Sequence, residues 1–235
     1  MVREKMKAAI MTAILLFSLF PAIIQHAEAS ETGDGRDPGG AVLVIDPGHG
    51  GLDGGATAAD GTEESAINLA ISLRLRSLCL FLGLPVRMTR TTAALDYPED
   101  AGSVREKKVW DQKRRVELIN ALENAVLLSV HQNKYPDSRP NGSQVLYAKT
   151  DGSAELAALT HANLIAALCP DNRRVAAPIS EEIYLMREVR CPAILIECGF
   201  LSNPEEAARL KSEDYQRRIA VVLLASCLEW EDTYE

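Results

Sequence analysis

The feature that most constrains this chain is a series of short apolar runs, most of which close on a polar or turn-forming cluster. AVLVID (41–46), PVRMTR (85–90), AVLLSVH (125–131), SQVLYA (143–148) and PAILIECGF (192–200) all have this form. Brief apolar runs bounded by turn signals read as buried strands. The segments between them have a different period. Ile67, Ala70, Ile71, Leu75, Leu78 and Leu82 recur at three- and four-residue spacing, which predicts a helix starting at Glu63 and ended by Gly83. WDQKRRVELINALE (110–123), SAELAALTHANLIAALC (153–169) and NPEEAARL (203–210) read as further helices, with Pro204 suited to a first turn. Tyr215, Ile219, Val222, Leu223 and Trp230 mark one face of a last helix. Strands alternating with helices predict a single α/β domain over 41–230, its largely parallel sheet covered by helices on both faces. The polar stretch 91–108 reads as an insertion.

The first forty residues read differently. Arg3, Lys5 and Lys7 precede an uncharged run over 8–24, and Ala27-Glu28-Ala29 follows. A basic start, an apolar run and an A-x-A site are the marks of a cleaved signal peptide, here 1–29. An N-terminal membrane anchor is the alternative, although the run is shorter than the ~20 apolar residues that span a bilayer. Either reading exports the rest of the chain. SETGDGRDPGG (30–40) reads as a linker. The five cysteines are odd in number, have no C-x-x-C spacing and mostly lie in apolar runs, which fits buried free thiols. The net charge of −8 speaks against nucleic acid as a partner.

In an open α/β sheet, ligands bind beyond the carboxyl ends of the strands. Three polar clusters fall there: Asp46-Pro47-Gly48-His49-Gly50-Gly51, Ser129-Val130-His131-Gln132-Asn133 and Glu197-Cys198-Gly199-Phe200. If those strands are parallel, two histidines and a glutamate arrive at one edge. Glu63 or Glu64 adds a carboxylate at the start of the first long helix. A hydrolytic zinc takes about three protein ligands of this type and keeps one position open. His49, a helix-opening Glu and His131 would then be ligands, with Glu197 left as acid and base. Glu197 is the hardest of these to dismiss, because a carboxylate closing an apolar strand is costly unless paired or used. His26 belongs to the leader, and His161 lies among small residues on a helix. H-E-x-x-H, G-x-S-x-G and P-loop motifs are absent from the sequence.

VLVIDPGHGGLDGGA (42–56), Glu64 with Asn68-Leu69, LLSVHQN (127–133) and ILIECGFLSNPEEAARL (194–210) together resemble the zinc-dependent N-acetylmuramoyl-L-alanine amidases, the family called amidase type 3. The resemblance runs from about Ala41 to Trp230. It implies His49, Glu64 (rather than Glu63) and His131 as zinc ligands, Glu197 as the catalytic acid/base, and Asn133 as a residue that shapes the site and contacts substrate. A loop-capping role is the alternative for Asn133. It also implies hydrolysis, in peptidoglycan, of the amide between N-acetylmuramic acid and the L-alanine of the stem peptide. IYLMREVRCPAILIECGFLSNPEEA resembles the germination-specific subgroup, which acts in spore-cortex maturation. The resemblance leaves open an activating lipoprotein or wall-associated partner. Two other readings stand beside it: a zinc exopeptidase of similar fold, and a non-catalytic wall-binding protein.

Overall fold

In the computed structural model, which describes residues 41–98 and 102–234, the first apolar run forms β1 (Val42–Pro47). After it come α1 (Glu64–Phe81), β2 (Val86–Met88), α2 (Val104–Asn120), β3 (Ala125–Asn133), β4 (Gln144–Tyr147) and α3 (Ser153–Leu168). The chain then runs through β5 (Ala177–Pro178), α4 (Tyr184–Glu188), β6 (Ala193–Phe200), α5 (Pro204–Lys211) and α6 (Glu213–Tyr234). The leader and linker expected over 1–40 lie outside the described residues. Among the described residues, no helix is long and apolar enough to cross a membrane.

The strands make one six-stranded sheet in the order β2-β1-β3-β6-β4-β5. β1, β2, β3 and β6 run parallel, while β4 pairs antiparallel to β6 and carries β5 parallel to itself. From β1 the chain turns outward to β2 and then returns on the other side as β3. The order therefore reverses between β1 and β3, and a crevice opens at the carboxyl ends of those two strands.

Alternation along each strand sorts the core into two layers. Leu43, Ile45, Val126, Leu128, Ile194 and Ile196 pack with Ile71 and Leu75 of α1 and Ile219 and Leu223 of α6. Their neighbours Val44, Leu127, Ala193 and Leu195 point the other way, onto Ile119 of α2 and Leu185 and Met186 of α4. A strand whose successive residues all bury apolar side chains must be covered on both faces, and these two clusters supply the cover.

Local chemistry sets the element ends. Gly83 takes φ 71, and the Leu84 amide returns to the Cys79 carbonyl at 2.9 Å, closing α1. Asn203 accepts from the Glu205 and Glu206 amides at 3.0 and 3.2 Å and starts α5 ahead of Pro204. The second long helix begins earlier than its apolar period shows. Ser103 Oγ accepts from the Glu106 amide, and the Glu106 carboxylate accepts from the Ser103 amide, a reciprocal cap that starts α2 at Val104. Its first turn therefore lies inside the segment read as an insertion. β5 and α4, with two and five residues, are too short to show a period in the sequence.

Candidate active site

The topology brings the three polar clusters to one edge of the sheet. His49 lies two residues past β1, Glu64 is the first residue of α1, His131 is near the end of β3, and Glu197 is in β6. His131 and Glu197 are register partners on adjacent parallel strands, so both side chains leave the same face. Glu64 is buried and Glu63 is exposed, so the inward carboxylate is Glu64.

One donor atom each from His49, Glu64 and His131 lies within 4.8 Å of the others. His131 Nδ1 is 3.0 Å from Glu64 Oε1, and His49 Nε2 is 3.3 Å from Glu64 Oε2. The two rings meet edge to face with centroids 5.0 Å apart. Gly48 lets them approach: a Cβ there would stand 2.2 Å from the His131 ring. Two imidazoles and one carboxylate converging this closely form a donor set suited to a hydrolytic zinc.

The donors are themselves held. His49 Nδ1 lies 3.0 Å from Asp53 Oδ2, and Lys108 Nζ pairs with Asp53 Oδ1 at 2.9 Å. Glu64 accepts from the amides of Ala56 and Gln132 at 2.8 and 3.1 Å and from Asn68 Nδ2 at 3.3 Å. Asn68 also donates to the Gly48 carbonyl and accepts from Gln132 Nε2, each at 3.1 Å. These contacts fix the orientation of the His49 ring and of the Glu64 carboxylate.

Burial alone would lower the pKa of His49, but its hydrogen bonds and charge contacts with Asp53 and Glu64 outweigh burial and raise it to about 9. Burial works to raise Glu64, yet the hydrogen bonds and charges of His131 and His49 hold it well below the usual carboxylate range. Glu197 goes the other way. Burial, aided by the nearby Glu64 charge, pushes it up to about 7 against the pull of His131 and His49. Its Oε2 is buried and has no hydrogen-bond partner among the described residues. A carboxyl titrating near neutrality is suited to take and return a proton.

The turn that carries His49 is unusual. His49 has φ 60, a left-handed conformation that costs a residue with a Cβ about 1–2 kcal/mol. Arg90 and Arg115 stand behind this turn and donate to its carbonyls. Arg115 is 1% exposed. It pairs with Asp46 Oδ1 at 2.6 Å and Asp111 Oδ2 at 2.9 Å. Asp46 also accepts from the hydroxyls of Thr89 and Ser129, both at 2.6 Å. Burial opposes its ionisation, but the Arg115 charge and the two hydroxyls win and keep it low. Tyr97, in the polar segment before α2, accepts from the Leu52 amide at 3.1 Å and so packs on the loop beside the site.

Sequence reasoning missed Asp53, Arg90, Arg115 and Gln132. The signal for Arg115 was its helical spacing from Asp111 and Ile119, which puts all three on the buried face of α2. Asn133 ends β3 half-buried, and its carbonyl accepts from the Leu201 amide at 2.8 Å. His161 is buried on α3 with Nε2 3.2 Å from the Ser143 carbonyl, away from the donor set. All five cysteines are free thiols, with Cys79, Cys198 and Cys227 buried.

A family profile described as N-acetylmuramoyl-L-alanine amidase matches residues 43–226. The chain is 34% identical over 191 residues to the germination-specific N-acetylmuramoyl-L-alanine amidase of Bacillus subtilis, covering 81% of this chain and 80% of that protein. The solved structure of the CwlD amidase from Clostridioides difficile, in complex with the GerS lipoprotein, superposes with a TM-score of 0.79 at 34% identity. That match covers 82% of this chain and 99% of the other. The catalytic domain of CwlV, an N-acetylmuramoyl-L-alanine amidase from Bacillus (Paenibacillus) polymyxa, superposes with a TM-score of 0.67 at 28% identity, covering 82% and 98%.

Proposed function

Since the chain belongs to the N-acetylmuramoyl-L-alanine amidase family, we propose that this amidase of peptidoglycan is a zinc enzyme and that it works on the cortex of spores. The observation that carries the zinc reading is the His49–Glu64–His131 donor set, within 4.8 Å, beside a carboxyl whose Oε2 has no hydrogen-bond partner among the described residues. His49, Glu64 and His131 would hold the ion, and Glu197 would stay free of it. Zinc bound there supplies Lewis acidity toward the amide carbonyl and toward water.

The rest is done by the chain. Glu197, ionised, takes the proton of the attacking water on the face it shares with His131. The carboxylic acid so formed delivers that proton to the L-alanine nitrogen as the C–N bond breaks, so the amine leaves neutral and Glu197 returns to its starting state. Burial, which raises Glu197 to about 7 in the metal-free protein, favours the protonated state that the second half of this cycle uses. Asn133, at the end of β3 and opposite Phe200 in register, would shape the substrate side of the site.

The cortex reading is supported by the germination-specific relative and by its coverage of 80% of that protein. The C. difficile amidase is solved with a lipoprotein, which supports a lipoprotein or other wall-associated partner for this chain as well. Related cell wall amidases imply action outside the cytoplasm, in keeping with a leader over 1–29 and a linker over 30–40 ahead of a catalytic domain over 41–230.

Mass spectrometry of digested peptidoglycan tests these proposals. Stem peptides beginning with L-alanine should be released with zinc and not with a chelator, and cortex should be cut faster than vegetative wall. Equal release with chelator would overturn the zinc reading. Faster release from vegetative wall would overturn the cortex reading. Cleavage of sugar-free peptides would favour the exopeptidase alternative.

A further inference from the structure

We infer that Arg90 and Arg115 act together as positioning residues for His49, holding its ring on the donor set through its main chain. The inference rests on the reading of His49 as a metal ligand. Of the three donors, His49 is the one placed by a loop, since Glu64 opens a helix and His131 lies within a strand paired on both sides. Donors on regular elements are held by the element, whereas a loop donor needs separate support. This one also sits at φ 60, a conformation that persists only where the surroundings impose it.

The surroundings here are two buried guanidiniums. Arg90 Nε reaches the Pro47 carbonyl at 3.0 Å and the His49 carbonyl at 2.7 Å, and its Nη2 reaches the Gly48 carbonyl at 3.0 Å. Arg115 Nη1 reaches the Pro47 carbonyl at 3.0 Å, and its Nη2 reaches the His49 carbonyl at 2.6 Å. Three successive carbonyls thus point to one side, where their dipoles repel, and two cations fill that side. The His49 oxygen is shared by both.

Each cation is tied to a different part of the fold. Arg115 is anchored by Asp46 of β1 and Asp111 of α2, and Arg90 by the carbonyls of Ser65 in α1 and Thr92. The turn is wrapped closely, for a Cβ on Gly50 would stand 2.7 Å from Arg90 Nε. Arg90 is 5% exposed and Arg115 1%, so water cannot take over their bonds. A planar fork can hold two carbonyls at once, and an ammonium of the same charge cannot do so with the same geometry. Loosening the turn would let the His49 ring swing away from Glu64 while His131 keeps its place.

The test uses Arg90→Lys and Arg115→Lys, which retain the charge, with circular dichroism confirming the fold. Asp111→Asn is the third variant: it keeps the shape of α2 and weakens one anchor of Arg115. Three readouts apply: zinc affinity by chelator competition, the visible bands of the cobalt-substituted protein, and ring carbon–proton NMR of the histidines in the metal-free protein. We expect zinc to bind about 10- to 100-fold more weakly. The cobalt bands should move, and the His49 resonances should shift or double while those of His161 stay fixed. A folded Arg90→Lys protein with unchanged affinity, bands and His49 resonances would overturn the inference. Should the wild type take up neither zinc nor cobalt, the metal reading fails, and the His49 resonances alone decide the positioning role. Should both Lys variants fail to fold, the same three readouts on Asp111→Asn decide it.

Discussion

At the scale of single residues, the two carboxylates of the site have opposite surroundings. Glu64 lies between two imidazoles and accepts two main-chain amides, and it is held ionised. Glu197 sits among buried strand residues, with Oε2 lacking a hydrogen-bond partner among the described residues, and is pushed toward neutrality. Replacing each should therefore do different things. Glu197→Gln should keep one zinc per chain by elemental analysis and lose about 100-fold or more in turnover; loss of zinc would make Glu197 a ligand. The same variant carries a stability signature. A carboxyl raised from 4.5 to about 7 on folding is neutral in both states below pH 4.5, and stability falls as pH rises from there through 7, where the folded state must ionise a buried group. Metal-free Glu197→Gln should thus be more stable than the wild type at pH 8, by about 1–3 kcal/mol in denaturant, with little difference at pH 4.5. The adjacent pair at the head of α1 gives a second contrast. Glu64→Ala should abolish tight zinc binding, and Glu63→Ala, at an exposed position, should leave it near normal in the same chelator titration.

At the scale of elements, the legible parts were those with a period or a motif. The strands showed as apolar runs, and His49, His131 and Glu197 showed because each closes one of them. The start of α2 was hidden because its first turn is polar and its apolar period begins only later. What sets that start is the Ser103–Glu106 cap, a local hydrogen-bond device with no apolar signature. Ser103→Ala should lower stability by about 0.5–2 kcal/mol in thermal or chemical denaturation. It should leave the zinc affinity near normal, because the inward residues Asp111 and Arg115 lie two and three turns further on. Asp53, Arg90, Arg115 and Gln132 stayed hidden for another reason. Their importance lies in long-range partners, and an Arg-Arg pair such as Arg114-Arg115 looks solvated until the fold buries its second member.

At the scale of the whole molecule, the proposed metal would be linked to a proton. His49 is protonated near neutrality in the metal-free protein, with its pKa raised to about 9, and a ligand must be neutral to bind. Titration calorimetry in buffers of different ionisation enthalpy should show about one proton released per zinc at pH 7.5, falling toward zero above pH 9. Zinc at 1,000 times its Kd should stabilise the fold by about 4 kcal/mol, read as a rise in Tm that a chelator reverses.

The reversal of strand order between β1 and β3 has a temporal side. All three donors are present once the chain has been made through residue 131, in the segment where β1 pairs with β2 on one edge and β3 on the other. Glu197 comes only with β6, which slots against β3 from the far side. A chain cut short between the two would hold the proposed ligands yet lack the carboxyl proposed to pass the proton. A half-made copy would then be harmless to the wall that the finished one cuts.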